Sequence, residues 1–193
     1  MGRRHARNLL ALGVGDVVLC SEFQGGGEYL DDLSSLFVAK NYEKLLETNL
    51  DAVLIANASN LHIKYALKAV KKNIPIYLEK PAGVDSEEIK ELVLLNQLKN
   101  ITIAVGYQHR FNKLLEMIKS LLEDQVFGQI VHVSCNMGEY LPYYHPNEDY
   151  RKGYAAKEGM GGGVLRTQIH DINYLRWIFG ELDIVGAHGG KLS

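Results

Sequence analysis

Consecutive apolar residues recur in short runs along the first 108 residues, and they constrain the fold of this chain more than any other feature. The clear runs are residues 17–20, 52–56, 74–78 and 101–105, with a weaker fifth at residues 36–38. Because the apolar residues do not alternate with polar ones, the runs are typical of strands buried on both faces of a parallel sheet. Helical patterns fill the intervals, and Asn73 and Asn100 are predicted to end two of these helices. The sequence therefore predicts an α/β fold with a Rossmann-like, doubly wound parallel sheet.

The pattern changes after about residue 125. Apolar and polar residues alternate over residues 131–137, as in a half-exposed antiparallel strand. A tyrosine-rich loop follows at residues 140–154, then a glycine run, a helix predicted over residues 164–179, and the start of another strand at residue 183. We predict two domains, residues 1–110 and residues 111–193, the second a partial α+β domain with an open, mainly antiparallel sheet.

The first helical pattern begins at Gly2 with no strand before it. A dinucleotide-binding fold opens with a strand, a Gly-x-Gly-x-x-Gly loop and such a helix, so Gly2 fits the last glycine of that loop. The missing first strand is normally central in the sheet. We therefore expect that the chain is incomplete at its N-terminus, and also at its C-terminus, where a second sheet is only starting.

Composition excludes several classes of protein. Lys and Arg number 21 against 23 Asp and Glu, a net charge of −2, so neither nucleic acid nor an anionic membrane is an expected partner. No run approaches the roughly 20 apolar residues of a membrane span. Cys20 and Cys135 lie far apart, and the histidines show no metal-ligand spacing, so we expect no disulfide scaffold and no metal. Without a signal peptide, a cytoplasmic location is expected.

Polar residues follow two of the predicted strands at their carboxyl ends, where open parallel sheets bind ligands. Ser59 or Asn60 could cap the next helix, whose N-terminus would favour a phosphate; a plain capping role is the simpler reading. Glu79-Lys80-Pro81 follows the next strand, and its lysine could orient a substrate hydroxyl or move its proton. Alone, this tripeptide is better explained by an exposed lysine at a strand end, with Pro81 fixing the turn.

His170 is the second candidate for proton transfer, because imidazole titrates near neutral pH. Asp171 is adjacent in sequence and points elsewhere on a helix, so no acid–base dyad is implied. A lone helical histidine is usually structural, and without other support that interpretation is preferred. Tyr140 and Tyr150 belong to a tyrosine cluster that suits either a sugar-like ligand or packing of the loop.

Taken together, these motifs resemble the Gfo/Idh/MocA family of NAD(P)-dependent oxidoreductases over almost the whole chain. The matching stretches are Gly2-Arg3-Arg4-His5, residues 56–62, Glu79-Lys80-Pro81, residues 106–112 (GYQHRFN) and residues 161–170. The resemblance implies NAD or NADP as cofactor, a polyol, sugar or nucleotide-sugar substrate, and a homo-oligomer, dimer or tetramer, for the full-length protein. It also implies hydride transfer at a CH–OH group, with Lys80 and His170 as catalytic residues. The cofactor side would comprise Gly2, Ser21, Glu22, Asn57, Ser59, Asn60, His62, Glu79 and Lys80. The substrate side would comprise Arg110, Tyr140, Tyr150, Arg166 and Thr167.

Two departures from the family pattern leave alternatives open. Arg166 and Thr167 stand where an Asp is often found before the histidine, and a cation near His170 would disfavour its charged form. After the first predicted strand, which the resemblance equates with the second strand of the family, Glu22 would favour NAD, whereas Ser21 would tolerate the 2′-phosphate of NADP. The competing hypotheses are a non-catalytic relative that binds a nucleotide or sugar, and an inactive fragment of such an enzyme.

Overall fold

The computed structural model describes residues 1–21, 37–144 and 149–190 of the chain. The strands in these ranges are β1 (Leu19–Cys20), β2 (Val38–Ala39), β3 (Val53–Ile55), β4 (Ile76–Leu78) and β5 (Ile103–Val105). The α-helices are α1 (Gly2–Ala11), α2 (Tyr42–Leu45), α3 (His62–Lys71), α4 (Ser86–Lys99), α5 (Lys113–Glu123), α6 (Leu141–Tyr144), α7 (Val164–Thr167) and α8 (Ile169–Phe179). Single 3₁₀ turns cover Ser59–Leu61, Gln108–Phe111, Tyr150–Lys152, Tyr154–Ala156 and Glu158–Met160.

The strands form two parallel pieces of sheet, as the sequence predicts for a doubly wound α/β fold. β1 pairs with β2, and β3, β4 and β5 pair in that order. The register places Val53 opposite Ile76 and Ile76 opposite Ile103. Helices α2, α3 and α4 connect β2 to β3, β3 to β4 and β4 to β5. Because every strand in each piece runs the same way, the carboxyl ends of β3 and β4 lie at one edge.

The core lies between the larger piece of sheet and helix α3. Ala66, Ala69, Val70 and Leu78 are fully buried, and Ile63 is 1% exposed. Small residues on α3 let this helix approach both the sheet and α4 closely. This packing fixes the loops that leave β3 and β4, and those loops carry the candidate site.

The ends of two helices agree with the sequence prediction. Asn73 and Asn100 have φ values of +61° and +51°, the left-handed conformation that ends a helix. At the other end of α4, the Asp85 carboxylate accepts a hydrogen bond of 2.7 Å from the Glu87 N–H. Side-chain capping of this kind satisfies one of the free N–H groups of the first turn.

The second part of the chain differs from the prediction in two ways. In the described residues from 124 onward no strand forms, so residues 131–137 and those from 183 are not strands, and no antiparallel sheet appears there. Alternation favours a strand only where another backbone supplies ladder hydrogen bonds, and none of the described residues does so here. The helix predicted over residues 164–179 is divided at Gln168, whose φ and ψ are −93° and 21°.

Candidate functional site

One buried histidine holds together the two loops that follow β3 and β4. The His62 ring is 1% exposed, and its Nδ1 donates a hydrogen bond of 2.7 Å to the Pro81 carbonyl. Its Nε2 lies 3.2 Å from the Asn57 carbonyl. His62 therefore positions the loops, and both of its ring nitrogens face backbone carbonyl oxygens. The Lys80–Pro81 peptide bond between them is cis.

Glu79 ties the N-terminal helix to the same edge of the sheet. Its Oε1 lies 2.5 Å from Nε2 of His5 in the first turn of α1, and its Oε2 accepts the Lys80 N–H at 3.1 Å. The His5 ring also meets the edge of Tyr77, with the ring centroids 5.5 Å apart. Because Glu79 is only 7% exposed and both oxygens are engaged, its role here is structural.

Lys80 reaches from the β4 loop to the start of α8. Its Nζ donates a hydrogen bond of 3.1 Å to the Thr167 carbonyl. In an uninterrupted helix that carbonyl would accept the Asp171 N–H, four residues further on. Asp171 N–H instead bonds to the Gln168 carbonyl at 3.1 Å, which leaves the Thr167 oxygen to the lysine. The break at Gln168 thus creates the acceptor for Lys80.

The ionisation of Lys80 reflects burial opposed by two carboxylates. Burial lowers the pKa of the Lys80 ammonium, while the charges of Glu79 and Glu139 act in the opposite direction. Glu139 is held nearby because its Oε2 accepts a hydrogen bond of 3.1 Å from Nε2 of Gln168. The lysine is therefore easier to deprotonate than an exposed one, and its charge depends on these two neighbours.

His170 lies at the start of α8, and its surroundings favour the neutral form of its ring. Burial lowers the pKa of the His170 imidazole to about 4, and the charges of Lys80 and His109 contribute in the same direction. Glu79 and Asp171 oppose the shift. The cation that disfavours protonation of His170 is thus Lys80, and not Arg166 as the sequence suggested.

Arg166 and Thr167 direct their side chains into the surrounding backbone. The Arg166 guanidinium donates to the Gly162 and Val84 carbonyls at 3.4 and 3.3 Å. The Thr167 hydroxyl donates to the Gly163 carbonyl at 2.7 Å. Both residues hold the glycine loop in place, so the predicted contact with substrate finds no support in their present hydrogen bonds.

Gly161 allows the loop before α7 to approach the end of β3. A Cβ on Gly161, whose φ is +85°, would lie 2.6 Å from Val84 Cγ1 and 2.9 Å from Ser59 Cβ. The Asn60 amide donates to the Gly159 carbonyl at 3.1 Å. Neither Ser59 nor Asn60 caps a helix through its side chain, so the capping interpretation is wrong; these residues dock the loop instead.

The remaining predicted residues are dispersed. Gly2 is exposed and a Cβ there would meet open space, whereas Ser21 is half-buried and its N–H bonds to the Ala39 carbonyl at 3.2 Å. Glu22 lies outside the described residues. Tyr140 is 67% exposed and packs edge-on against Tyr143.

Two further substrate-side predictions, Tyr150 and Arg110, contact residues other than Lys80 and His170. Tyr150 is 38% exposed and stacks with the guanidinium of Arg151. The Arg110 Nε donates to Asn173 Oδ1 at 3.0 Å, so its side chain is engaged by α8. The residues that the sequence reasoning missed are Val84, His109, Glu139, Gln168 and Asn173. Most are separated from their partners by dozens of residues, and only His109 carried a signal, as a histidine inside a matching motif.

The residues at this edge fit a dinucleotide. Asn60 Oδ1 is buried and has no hydrogen-bond partner among the described residues, so it can accept a hydrogen bond from an amide or hydroxyl of a ligand. The first turn of α1 lies at the same edge and contains no acidic residue that would repel a phosphate. Within the described ranges, no cluster of three or more His, Cys, Asp or Glu residues could hold a metal ion. No helix in those ranges is both long and apolar enough to cross a membrane.

Comparison with known proteins gives matches to both halves of the chain. Residues 1–107 match an oxidoreductase family with an NAD-binding Rossmann fold, GFO/IDH/MocA, and residues 115–193 match the GFO/IDH/MocA C-terminal domain. The rhizopine catabolism protein MocA of Rhizobium meliloti is 27% identical over 156 residues, which cover 77% of this chain and 46% of that protein. Myo-inositol 2-dehydrogenase of Thermotoga maritima is 24% identical over an alignment of 199 residues, covering 100% of this chain and 56% of the relative.

A solved structure supports the fold. The crystal structure of myo-inositol 2-dehydrogenase from Lactobacillus plantarum superposes with a TM-score of 0.75 at 22% identity, covering 92% of this chain and 52% of that chain. The chain spans about half the length of these relatives.

Proposed function

This chain belongs to the GFO/IDH/MocA family of oxidoreductases, and we propose that it transfers a hydride between NAD or NADP and a hydroxyl-bearing carbon of a polyol, sugar or nucleotide sugar. In this proposal residues 1–110 hold the cofactor and residues 111–193 form the substrate side. A relative named for its action on myo-inositol supports a polyol-like substrate class.

The observation that carries the proposal is the meeting of Lys80 and His170. Lys80 comes from the loop after β4 and donates to the Thr167 carbonyl, three residues before His170. The charge of the lysine contributes to the low pKa of the histidine. One ammonium and one neutral imidazole, brought from opposite halves of the chain, are a suitable pair for proton transfer at a hydroxyl group.

The two side chains have different tasks in this mechanism. The Lys80 ammonium, held by the Thr167 carbonyl, donates a hydrogen bond to the oxygen of the reacting carbon and fixes its position. His170, neutral at pH 7, accepts the hydroxyl proton during oxidation at Nε2, since its Nδ1 is buried. In the reverse direction the proton returns from the same nitrogen.

Cofactor binding is assigned to the edge formed by the ends of β1 and β3 and the first turn of α1. Asn60 Oδ1 offers the acceptor described above, and Ser21 and Asn57, which follow β1 and β3, are assigned to the cofactor side. The nicotinamide ring, when bound, supplies the hydride chemistry, which no side chain can perform. The protein contributes placement of the reacting groups and control of the proton.

The test combines cofactor binding with turnover. We expect the chain to bind NADH or NADPH in a fluorescence titration, and to reduce NAD or NADP with a member of a polyol and sugar panel. Lys80→Met should lower kcat by about 100-fold or more while cofactor affinity stays within a few-fold, because the lysine contacts substrate oxygen. Lys40→Met, which removes an exposed lysine, is the matched control.

Each outcome decides one part of the proposal. Unchanged turnover in Lys80→Met would reject the role of the lysine. Absence of binding to both dinucleotides would reject the cofactor assignment for this chain. Binding without turnover on any substrate of the panel would favour a non-catalytic relative.

A further inference from the structure

The 3₁₀ turn Gln108–Phe111 is fastened to one stripe of helix α8. Arg110 Nε donates to Asn173 Oδ1 at 3.0 Å, and its guanidinium lies over the Trp177 ring, 5.9 Å from the centroid. Residues 173 and 177 are one turn apart, so both face the same side of the helix. The turn thus has a fixed position relative to α8.

His109, on the same turn, contacts the neighbouring rings of this stripe. Its ring centroid lies 4.8 Å from that of His170, with the planes at 76°, and 6.0 Å from that of Tyr174, with the planes at 88°. Tyr107 meets His170 from the same segment, at 6.3 Å and 84°. Edge-to-face arrangements at these distances are favourable contacts with a defined geometry.

Apart from these ring contacts, and within the residues that the structure describes, the His170 ring lacks the hydrogen bond that usually orients a functional histidine. A functional histidine is usually held by a hydrogen bond from one ring nitrogen to a carbonyl or carboxylate. Here Nδ1 is buried and has no such partner in the described part of the chain. Asp171, adjacent in sequence, does not supply one.

We propose that His109 is a positioning residue for His170, and that its imidazole edge sets the orientation of the His170 ring in place of a hydrogen bond. This inference rests on the proposed function only for its catalytic consequence. The positioning itself follows from the ring contacts and from the unpartnered Nδ1.

The electrostatic consequence depends on the charged groups that act on His170. Lys80 and His109 disfavour a charged His170 ring, whereas Glu79 and Asp171 favour one. Tyr107 packs on the ring from the 3₁₀ segment. Removing His109 deletes one of the two repelling groups and also opens the ring to water, and both changes raise the pKa of His170 toward that of an exposed histidine.

The two effects of His109 can be separated by two substitutions. His109→Ala removes the ring and its electrostatic effect on His170, so the pKa of His170 should rise above about 4 and its ring should no longer keep one orientation. His109→Phe keeps an aromatic edge without a charge, so the ring should stay ordered and its pKa should rise less. His188→Ala removes an exposed histidine and is the control.

The measurement is NMR of the histidine ring protons of the whole chain across pH, with the His170 signal assigned by its loss in His170→Asn. An unchanged His170 titration and unchanged ring contacts in His109→Ala would overturn the proposal. Equal behaviour of His109→Ala and His109→Phe would also overturn it, because the aromatic edge would then be irrelevant. Far-UV circular dichroism of each variant identifies any that fails to fold. If His109→Ala does not fold, His109→Phe, which keeps an aromatic ring at this half-buried position, decides alone: an ordered His170 ring supports the proposal, and a disordered ring overturns it.

The same variants separate this inference from the proposed function. If turnover is detectable, His109→Ala should lower kcat by about 10-fold with little change in KM, and should move the pH profile upward with the pKa of His170. If the ring responds as expected in NMR but no turnover exists in the parent, the positioning stands and the proposed dehydrogenase activity fails.

Discussion

Replacing His170 with Asn tests whether the surroundings of this ring suppress its protonation. The imidazole has a pKa of about 4 in the folded chain, and an unfolded histidine has one of about 6.5. Between these values the unfolded chain binds more protons than the folded one, so the stability of the fold rises with pH. The contribution of the neutral ring is therefore complete above about pH 6.5 and is lost as the pH falls through about 4.

The size of the effect follows from the two pKa values. Without solvent screening, the folded state would lose about 2 kcal/mol between pH 7 and pH 5 through this one group. The ring is only partly buried, so water reduces the expected loss to about 1 kcal/mol. This loss is measurable because the free energy of unfolding of one protein is compared at two pH values.

Urea unfolding at pH 7 and pH 5 measures this loss. The free energy of unfolding of the parent should fall by about 1 kcal/mol more than that of His170→Asn, since other titrating groups are common to both. His188→Asn measures the effect of losing a histidine at an exposed position. The reasoning is refuted if parent and His170→Asn lose equal stability, or if the parent loses less.

Two further predictions concern the packing that holds the site. Gly162→Ala should lower the free energy of unfolding by about 1–3 kcal/mol, because the added methyl would lie 2.3 Å from the Tyr154 carbonyl oxygen. The matched control is Gly159→Ala, whose added methyl would meet open space. Equal stability of the two variants in urea would contradict the expected crowding at Gly162. Leu78→Ala should cost about 2–5 kcal/mol, since the side chain is fully buried at the end of β4; a cost below 1 kcal/mol in the same assay would show that the core is not closed there.

The sequence was sufficient for features that depend on local pattern. The continuous apolar runs identified the parallel strands, and Asn73 and Asn100 were correctly placed at helix ends. Lys80 and His170 could be selected as candidates because each belongs to a motif. Their proximity in space depends on the packing of two halves of the chain, which no local pattern specifies.

Other features required the structure because they depend on contacts distant in sequence. The helix is interrupted at Gln168, beside the point where Lys80 donates a hydrogen bond to the Thr167 carbonyl, and these two residues are 87 positions apart in the sequence. The direction of Arg166 likewise depends on Val84, 82 residues away. In the sequence His109 was visible as a histidine inside the motif of residues 106–112, but its ring contact with His170 could not be predicted from that.

The hydrogen bond from Lys80 to Thr167 ends on an atom that every amino acid possesses. Exchange of the side chain at position 167 does not delete this acceptor, provided that the backbone keeps its bend. Neighbouring side chains can therefore diverge toward different ligands during evolution while the anchorage of the lysine is inherited unchanged. Position 167 is therefore a place where the side chain can change while the acceptor of the ammonium group is kept.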